Sequence, residues 1–454
     1  MFADHRKRLL DRLHKDKACC IVPSGTLKAR NADCDYRFRP ASDFFYLTGF
    51  REPDSILVLL PEGPEKAVLF LRENDKQAEI WNGRRLGVER APDALEVDAA
   101  YAIDEFLDRL PQLLLGHEKL VHRMGEDPDQ DKLLADVLAE LRETSGKAGK
   151  TVPTAWVDPG DHLHEMRLFK SAGEAEEMRR ASKVTREAHI AAMREAAPGM
   201  NEAEIDALLE YTFRRRGGTG SSYNNIVAGG ANACILHYIE NDQTLQEGDL
   251  LLIDAGCEWN FYASDVTRTF PVSGSFSQEQ RAIYALVLKA QKAAIDVVRP
   301  GNTFAQVHDR AVEVLVQGLI ELGLLEGPLD EELETANYRR FYMHKTGHWL
   351  GLDVHDCGAY TEAPDANGAN GARAGGGSRI LAPGMVTTVE PGLYIAVDDT
   401  TVERRWRGIG VRIEDDILVT AEGHENLSAG IPKEIDEVEA LCQGRELVET
   451  PSAG

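Results

Sequence analysis

The 454-residue sequence lacks several features that would each identify a class of protein. Its seven cysteines are scattered and none forms a Cys-x-x-Cys pair, which excludes a disulfide framework and a zinc knuckle. It has no run of 18 apolar residues and no apolar signal core at its N-terminus, so nothing targets it to a membrane. This cysteine usage fits a reducing compartment, and we expect a cytoplasmic protein.

Basic residues are also in the minority. The chain has 51 Lys and Arg against 76 Asp and Glu, which gives a formal net charge of -25. Nucleic acids and anionic membranes attract basic surfaces, so we expect neither as a partner. The hydrophobic fraction of 43% is typical of a globular protein, and the length favours two domains.

The first domain is predicted to be an α/β unit over residues 1–167. Helical patterns alternate there with short apolar runs that predict strands. The predicted helices span residues 4–16, 104–115 and 131–143, and the predicted strands span residues 18–22, 43–47, 55–60 and 66–71. A polar stretch with Pro and Gly over residues 144–160 marks the boundary region.

The second domain, residues 168–454, is predicted to be α+β with a largely antiparallel sheet. Capping-box signatures predict four helix starts, at Ser171, Asn201, Ser277 and Thr303. The predicted strands span residues 225–227, 250–254, 262–270, 385–390 and 410–419, and they do not alternate regularly with the helices. Residues 361–378 are rich in Gly and Ala and predict a flexible surface loop.

The zinc-peptidase motif His-Glu-x-x-His is absent as well. His344 and His348 have its spacing, but Lys345 stands where the motif needs a glutamate as general base. Gly347 and Gly351 predict instead a bent, extended segment, on which His348 and the later His355 need not share a face.

Two aspartates are predicted to face each other across a hairpin. With Trp259-Asn260 as the turn, antiparallel pairing places Asp254 opposite Asp265, with Cβ atoms about 5 Å apart. Either residue alone would be an ordinary strand-end aspartate. Two opposed carboxylates repel each other unless a proton or a cation lies between them, so the pair suggests a metal site.

A similar pattern recurs near the C-terminus. Arg412 and Glu414 are two residues apart and project to one face of a strand. A hairpin centred on Val402 would bring Glu390 opposite Glu414. An ordinary Arg–Glu pair on a sheet surface remains the alternative for Arg412 and Glu414.

Four carboxylates and one imidazole (Asp254, Asp265, Glu390, Glu414 and His348) make an oxygen-rich ligand set. Such a set suits Mn²⁺, with Co²⁺ and Zn²⁺ as open alternatives. Four negative ligands balance two dications, as in a two-metal hydrolase with a hydroxide held between the ions.

These residues lie in motifs that together resemble the pita-bread metallopeptidases, a family that contains aminopeptidase P, prolidase and methionine aminopeptidase. The resemblance is to the bacterial aminopeptidase P group and covers nearly the whole chain. The motifs are Ser-Asp-Phe-Phe-Tyr-Leu-Thr-Gly-Phe at 42–50, Ile-Trp-Asn-Gly-Arg-Arg-Leu-Gly at 80–87, His-Glu-Met-Arg-Leu-Phe-Lys at 164–170, Cys-Ile-Leu-His at 234–237, Ile-Asp-Ala-Gly at 253–256, His-Trp-Leu-Gly-Leu-Asp-Val-His at 348–355, Glu-Pro-Gly at 390–392 and Arg-Ile-Glu at 412–414.

The resemblance implies a pita-bread catalytic domain and a role for each metal ligand. Asp254 would bind the first metal ion, Asp265 and Glu414 both ions, and His348 and Glu390 the second. Glu390 would also help to deprotonate the bridging water.

The resemblance also assigns residues to the substrate. His237 and His355 would polarise the scissile carbonyl and stabilise the oxyanion, and Arg412 would orient a carboxylate or carbonyl of the ligand. Tyr223 and His344 would line the proline pocket. Trp81 sits in the motif whose tryptophan reaches a neighbouring subunit's site in tetrameric relatives, with a packed indole as the alternative, and we expect a homodimer or homotetramer.

The implied reaction is removal of the N-terminal residue from peptides with proline in second position. A prolidase, which takes only Xaa-Pro dipeptides, shares the same five ligands and remains the alternative. A third hypothesis is a metal-free binding module of the same fold, but relatives of that kind lack the carboxylate ligands.

Overall fold

A computed structural model describes residues 1–362 and 377–445 of the chain. The chain forms two compact units, Met1–Arg167 and Leu168–Gly454. Most of the predicted Gly/Ala-rich loop lies outside the described residues. None of the helices within the described ranges combines the length and the apolar character that crossing a membrane requires.

The N-terminal unit is built on a six-stranded mixed sheet. In spatial order its strands are Ala99–Ala102, Ala67–Leu71, Ile56–Leu59, Ala18–Pro23, Lys119–Val121 and Ala155–Val157. The central strands are apolar and buried, because helices Phe106–Leu114 and Pro128–Leu141 pack their leucines against the sheet. The α/β prediction is therefore confirmed.

Other helices of this unit are Phe2–Asp16, Ser42–Thr48, Lys76–Asn82, Ala91–Leu95 and Gly160–Leu168. The strand predicted at residues 43–47 is wrong, since helix Ser42–Thr48 occupies this stretch. All its residues from Asp43 to Thr48 are buried, so the run shows no polar face that would reveal a helical period. The helix ends at Gly49, which has a positive φ of 66°.

The C-terminal unit confirms all four predicted capping boxes. At Ser171, Asn201, Ser277 and Thr303 the side chain accepts a backbone N–H, and a Glu or Gln three residues later accepts the N–H of the cap residue. These caps start helices Ala172–Glu195, Glu202–Arg215, Gln278–Ile295 and Phe304–Glu321. The described residues of this unit also contain two shorter α-helices, Leu329–Thr335 and Ile435–Cys442.

The strands of this unit pair antiparallel, which confirms the α+β prediction. They form three-stranded sheets and one two-stranded ladder. The groups are Ile226–Gly229, Leu250–Asp254 and Thr267–Pro271; Gly220–Ser221, Cys257–Trp259 and Tyr262–Ala263; Val386–Val389, Asp415–Val419 and His424–Asn426; and Gly392–Ile395 with Ile409–Arg412.

The predicted register of the first hairpin is wrong by two residues. Asp254 pairs with Thr267, not with Asp265, and Trp259 pairs with Tyr262. The turn is Asn260-Phe261, both with positive φ (49° and 65°), as a type I′ turn requires. A shift of two residues keeps side chains on the same face, so Asp265 still points to the side of Asp254.

The long strand predicted over residues 262–270 is interrupted before Thr267. The Asp265 N–H lies 3.2 Å from a carboxylate oxygen of Asp416. Gly256 packs against this interruption so closely that a Cβ there would lie 1.7 Å from the Ser264 carbonyl oxygen. The glycine is therefore required by this close approach.

The second predicted register agrees with the structure. Val389 pairs with Asp415 in one ladder and Gly392 pairs with Arg412 in the next, and both pairs have the register that sets residue 390 opposite residue 414. Glu390 and Glu414 lie between these two ladders, outside the paired strands.

Candidate active site

One cavity of the C-terminal unit collects almost all the predicted site residues. Its volume is 750 Å³. Its lining includes Tyr223, His237, Asp254, Asp265, His344, His348, His355, Glu390, Arg412 and Glu414. Trp81 belongs to the N-terminal unit and is 85% exposed, so its indole is not packed against the described residues.

Three predicted ligands offer donor atoms close enough to share a cation. Single atoms of Asp265, His348 and Glu414 all lie within 4.8 Å of one another. The His348 Nδ1 lies 3.0 Å from the Trp349 carbonyl oxygen, which directs Nε2 to 3.3 Å from Asp265 and 3.7 Å from Glu390. A backbone contact on the far ring nitrogen is the usual way to orient a metal-binding histidine.

Gly347 allows the His348 segment to approach the strand before Glu390. A Cβ at Gly347 would lie 2.1 Å from the Thr388 carbonyl oxygen. The Thr388 hydroxyl accepts the His348 N–H at 3.1 Å and donates to Glu390 at 3.3 Å. The backbone of His348 and the carboxylate of Glu390 therefore both form hydrogen bonds with the Thr388 hydroxyl.

Asp254 is held by a tyrosine and an arginine. The Tyr223 hydroxyl lies within hydrogen-bond distance of both Asp254 and Asp265. The Arg412 guanidinium donates to Asp254 at 2.6 Å, to the Tyr394 hydroxyl at 3.0 Å and to the Thr267 hydroxyl at 3.1 Å. Tyr223 thus contacts the carboxylates directly, in addition to lining the cavity.

Negative charge exceeds positive charge in this buried cluster. Burial raises the pKa of Asp254, raises that of Glu390 to about 7 and raises that of Glu414 well above its ordinary value, where the neighbouring carboxylates add to the effect. Burial also opposes ionisation of Asp265 and His348, but their mutual hydrogen bond and charges lower the pKa of Asp265 and raise that of His348 to about 9.

The four carboxylates of the cavity outnumber the cationic groups that face them. Arg412 is the one buried Lys or Arg among the cavity-lining residues that the structure describes; it is bound to Asp254, while the imidazole of His348 is paired with Asp265. Four carboxylates and one oriented imidazole therefore fit divalent cations both in charge and in donor chemistry. The same five side chains, Asp254, Asp265, His348, Glu390 and Glu414, could hold two such ions.

Two histidines stand at the open side of the cavity. His237 and His355 are both exposed, and the His355 ring lies 4.3 Å from that of His348, centroid to centroid. Beside His355, Asp356 forms an ion pair with Lys170 at 2.9 Å, and both of these side chains are 1% exposed. This buried pair fixes the loop that carries His355.

His344 faces a different part of the wall. Its Nε2 lies 2.8 Å from the Tyr394 hydroxyl, and its Nδ1 lies 3.9 Å from Glu390. Burial, together with the charge of Arg412, lowers the pKa of His344 to about 4, so the ring is neutral at pH 7.

Several supporting residues were missed by the sequence reasoning. The Thr267 hydroxyl donates to Glu414 at 2.6 Å, and the Asp416 carboxylate accepts the Ser264 hydroxyl at 2.9 Å beside Asp265. Fully buried Arg268 donates to the Glu414 carbonyl oxygen at 2.6 Å. Thr267 and Arg268 follow Asp265 closely and Asp416 follows Glu414, so proximity to the ligands was the available signal.

Comparisons with known proteins agree over the whole chain. Residues 176–421 match the model of metallopeptidase family M24, and residues 2–122 match the aminopeptidase P N-terminal domain. The chain is 46% identical over 446 residues to the Xaa-Pro aminopeptidase of Haemophilus influenzae, covering 97% of this chain and 96% of that protein.

Solved structures are also similar to this chain over nearly its whole length. Aminopeptidase PepP of Pseudomonas aeruginosa matches with a TM-score of 0.92 and 45% identity, over 98% of this chain and 97% of that one. Escherichia coli aminopeptidase P with the inhibitor Pro-Leu matches with a TM-score of 0.90 and 43% identity, over 98% of each chain. With its carboxylate cluster and these matches, the chain belongs to metallopeptidase family M24, and its N-terminal unit carries the aminopeptidase P N-terminal domain.

Proposed function

We propose that this protein is an Xaa-Pro aminopeptidase, which removes the N-terminal residue from peptides whose second residue is proline. The observation that carries the proposal is the convergence of four carboxylates and one imidazole in a single cavity. The relatives named above, which match the chain from end to end, support this substrate class.

The proposed metal ligands divide between two sites. Asp254 would bind one ion, His348 and Glu390 the other, and Asp265 and Glu414 both. Two divalent ions, which we propose to be Mn²⁺, would supply a water-derived nucleophile at neutral pH and positive charge for the scissile carbonyl. The oxygen-rich donor set supports Mn²⁺ over metals that prefer thiolates.

Other side chains are proposed to handle protons and to position the substrate. Glu390, whose carboxylate lines the same cavity, would accept a proton from the attacking water. His237 and His355, at the open side of the cavity, would donate hydrogen bonds to the carbonyl oxygen as it becomes negative.

The remaining lining residues are proposed to recognise proline. Tyr223 and His344 would border its ring. Arg412, whose three nitrogen atoms already donate to protein oxygens, would orient the substrate with its two remaining N–H groups. The bond to proline is a tertiary amide without an N–H, so the enzyme must hold it by the carbonyl and the ring.

A comparison of peptide lengths tests the proposal against the prolidase alternative. Purified protein supplied with Mn²⁺ is assayed with an Xaa-Pro dipeptide and with an Xaa-Pro-Yaa-Zaa tetrapeptide. We expect release of the N-terminal residue from the tetrapeptide. Turnover of the dipeptide alone would assign the protein as a prolidase.

We further propose that the protein is a cytoplasmic homo-oligomer. None of the seven cysteines, all of which lie in the described residues, forms a disulfide, which supports a reducing compartment. Ile80 and Trp81 are 80% and 85% exposed on helix Lys76–Asn82, an apolar pair that a second copy of the chain would cover. Light scattering on wild type and Trp81→Ala tests this: a monomeric wild type would contradict it.

A further inference from the structure

Lys345 lies at the border of two cavities in the C-terminal unit. The candidate active-site cavity and a second cavity of 560 Å³ are both lined by Lys345, Gly347 and Tyr360. The second cavity continues past Phe304 and Thr387. Because Lys345 is exposed, its side chain is accessible to a molecule that occupies either cavity.

The positive charge of Lys345 is also unpaired within the described residues. Within residues 1–362 and 377–445, the Lys345 ammonium group has no hydrogen-bond or ion-pair partner. Only the backbone carbonyl oxygen of Lys345 contacts His344. The other Lys or Arg among the described residues of the two linings is Arg412, which is buried and bound to Asp254. A negatively charged ligand group at this border would therefore meet Lys345.

The backbone places Lys345 between two residues that contact the proposed metal ligand Glu390. Its neighbour His344 lies 3.9 Å from Glu390, and the carbonyl of its other neighbour, Thr346, accepts the Glu390 N–H at 2.8 Å. In an extended tripeptide the C-terminal carboxylate lies about 7 Å beyond the first peptide bond. The four-carbon stem of lysine can cover such a distance.

We propose that Lys345 binds the C-terminal carboxylate of short peptide substrates and so gives the enzyme a preference for tripeptides and tetrapeptides that end near the cavity. This inference rests on the proposed Xaa-Pro aminopeptidase function and specifies its substrate class. Lys345 acts here as a specificity residue, since it would touch the end of the substrate and not the reacting atoms.

The test compares an Xaa-Pro-Yaa tripeptide acid with the same tripeptide amide. The readout is the ratio of kcat/KM for the acid to kcat/KM for the amide. We expect a ratio of about five in the wild type, because an exposed ion pair contributes up to about this factor. The ratio should fall toward one in Lys345→Met, recover in Lys345→Arg, and decline with rising ionic strength.

A matched control separates this effect from a general change of charge. Lys289→Met removes an exposed lysine from helix Gln278–Ile295, outside both cavities, and should leave the ratio at the wild-type value. A wild-type ratio near one, or a Lys345→Met ratio equal to that of the wild type, would overturn the role of Lys345. Failure of the wild type to cleave either tripeptide would overturn the proposed function itself.

Discussion

Glu414 and Asp415 are consecutive buried carboxylates, but the protein pairs cationic side chains with Asp415 and, among the described residues, none with Glu414. Asp415 receives hydrogen bonds from Arg268, Ser428 and Gln291, each at 2.7 Å, from Asn426 at 3.0 Å, and from Lys433. Burial opposes its ionisation, but the charges of Arg268 and Lys433 outweigh burial and lower the pKa of Asp415.

Glu414 faces the cavity and lacks such compensation. Thr267 donates to its carboxylate, while burial and the neighbouring Asp265, Glu390 and Asp254 raise its pKa. The protein therefore neutralises Asp415 with its own cations and leaves the cavity carboxylates in excess. This difference is expected of a site that takes its positive charge from bound ions.

The largest effect is expected from Asp265→Asn, which removes one of the negatively charged metal ligands from the cavity. Changing a residue behind a metal ligand typically costs 10- to 100-fold, so loss of a shared ligand should lower kcat/KM by more than about 100-fold. Steady-state peptide hydrolysis measures this. Near-normal turnover would contradict the assignment of Asp265.

The next effect is on stability and comes from Asp415→Asn. This change leaves fully buried Arg268 without its counter-ion, and we expect a loss of about 3–5 kcal/mol in the free energy of unfolding. Glu414→Gln is the matched control. In metal-free protein it should be neutral or stabilising, because it removes one of several repelling carboxylates. Equal destabilisation by both changes in urea denaturation would remove the contrast between the two residues.

His355→Ala should lower catalysis without lowering metal binding, so it distinguishes residues that contact the substrate from those that bind metal. Removing one preplaced donor to an oxyanion costs about 100-fold in kcat. The metal content should stay that of the wild type, because His355 is not among the proposed ligands. Loss of metal from this variant would mean that His355 belongs to the ligand set.

The smallest effect is expected from Thr267→Val, which removes the hydroxyl that donates to Glu414 and keeps the shape of the side chain. We expect metal affinity to fall by about tenfold, at the low end for residues behind a ligand. Titration of the metal-free variant with Mn²⁺ measures it. An unchanged affinity would show that Thr267 does not orient Glu414.

The sequence was sufficient for the parts of the fold that depend on local signals. The four capping boxes fix helix starts through residues three positions apart, and each was predicted correctly. Helix Ser42–Thr48 was not, because burial on all its sides removes the alternation that distinguishes a helix from a strand.

The sequence predicted which residues form the site better than it predicted how the backbone and the neighbouring side chains arrange them. The hairpin turn was placed one residue early because Phe261 adopts a positive φ, which the sequence alone does not predict for an aromatic residue. The network of Arg268 and Asp415 joins residues 147 positions apart, and no local spacing reveals such a contact. Only the folded structure therefore distinguishes the uncompensated carboxylates of the cavity from the compensated carboxylate of Asp415 beside them.

The claim that five side chains together hold a pair of divalent ions is tested most directly by counting bound Mn²⁺. Metal-free protein is dialysed to equilibrium against Mn²⁺, and the bound metal is measured by mass spectrometry. The account predicts two ions per chain in the wild type and fewer than one in a variant that combines Asp265→Asn with Glu414→Gln. A wild type that retains no manganese, or a double variant that binds as much as the wild type, would contradict it.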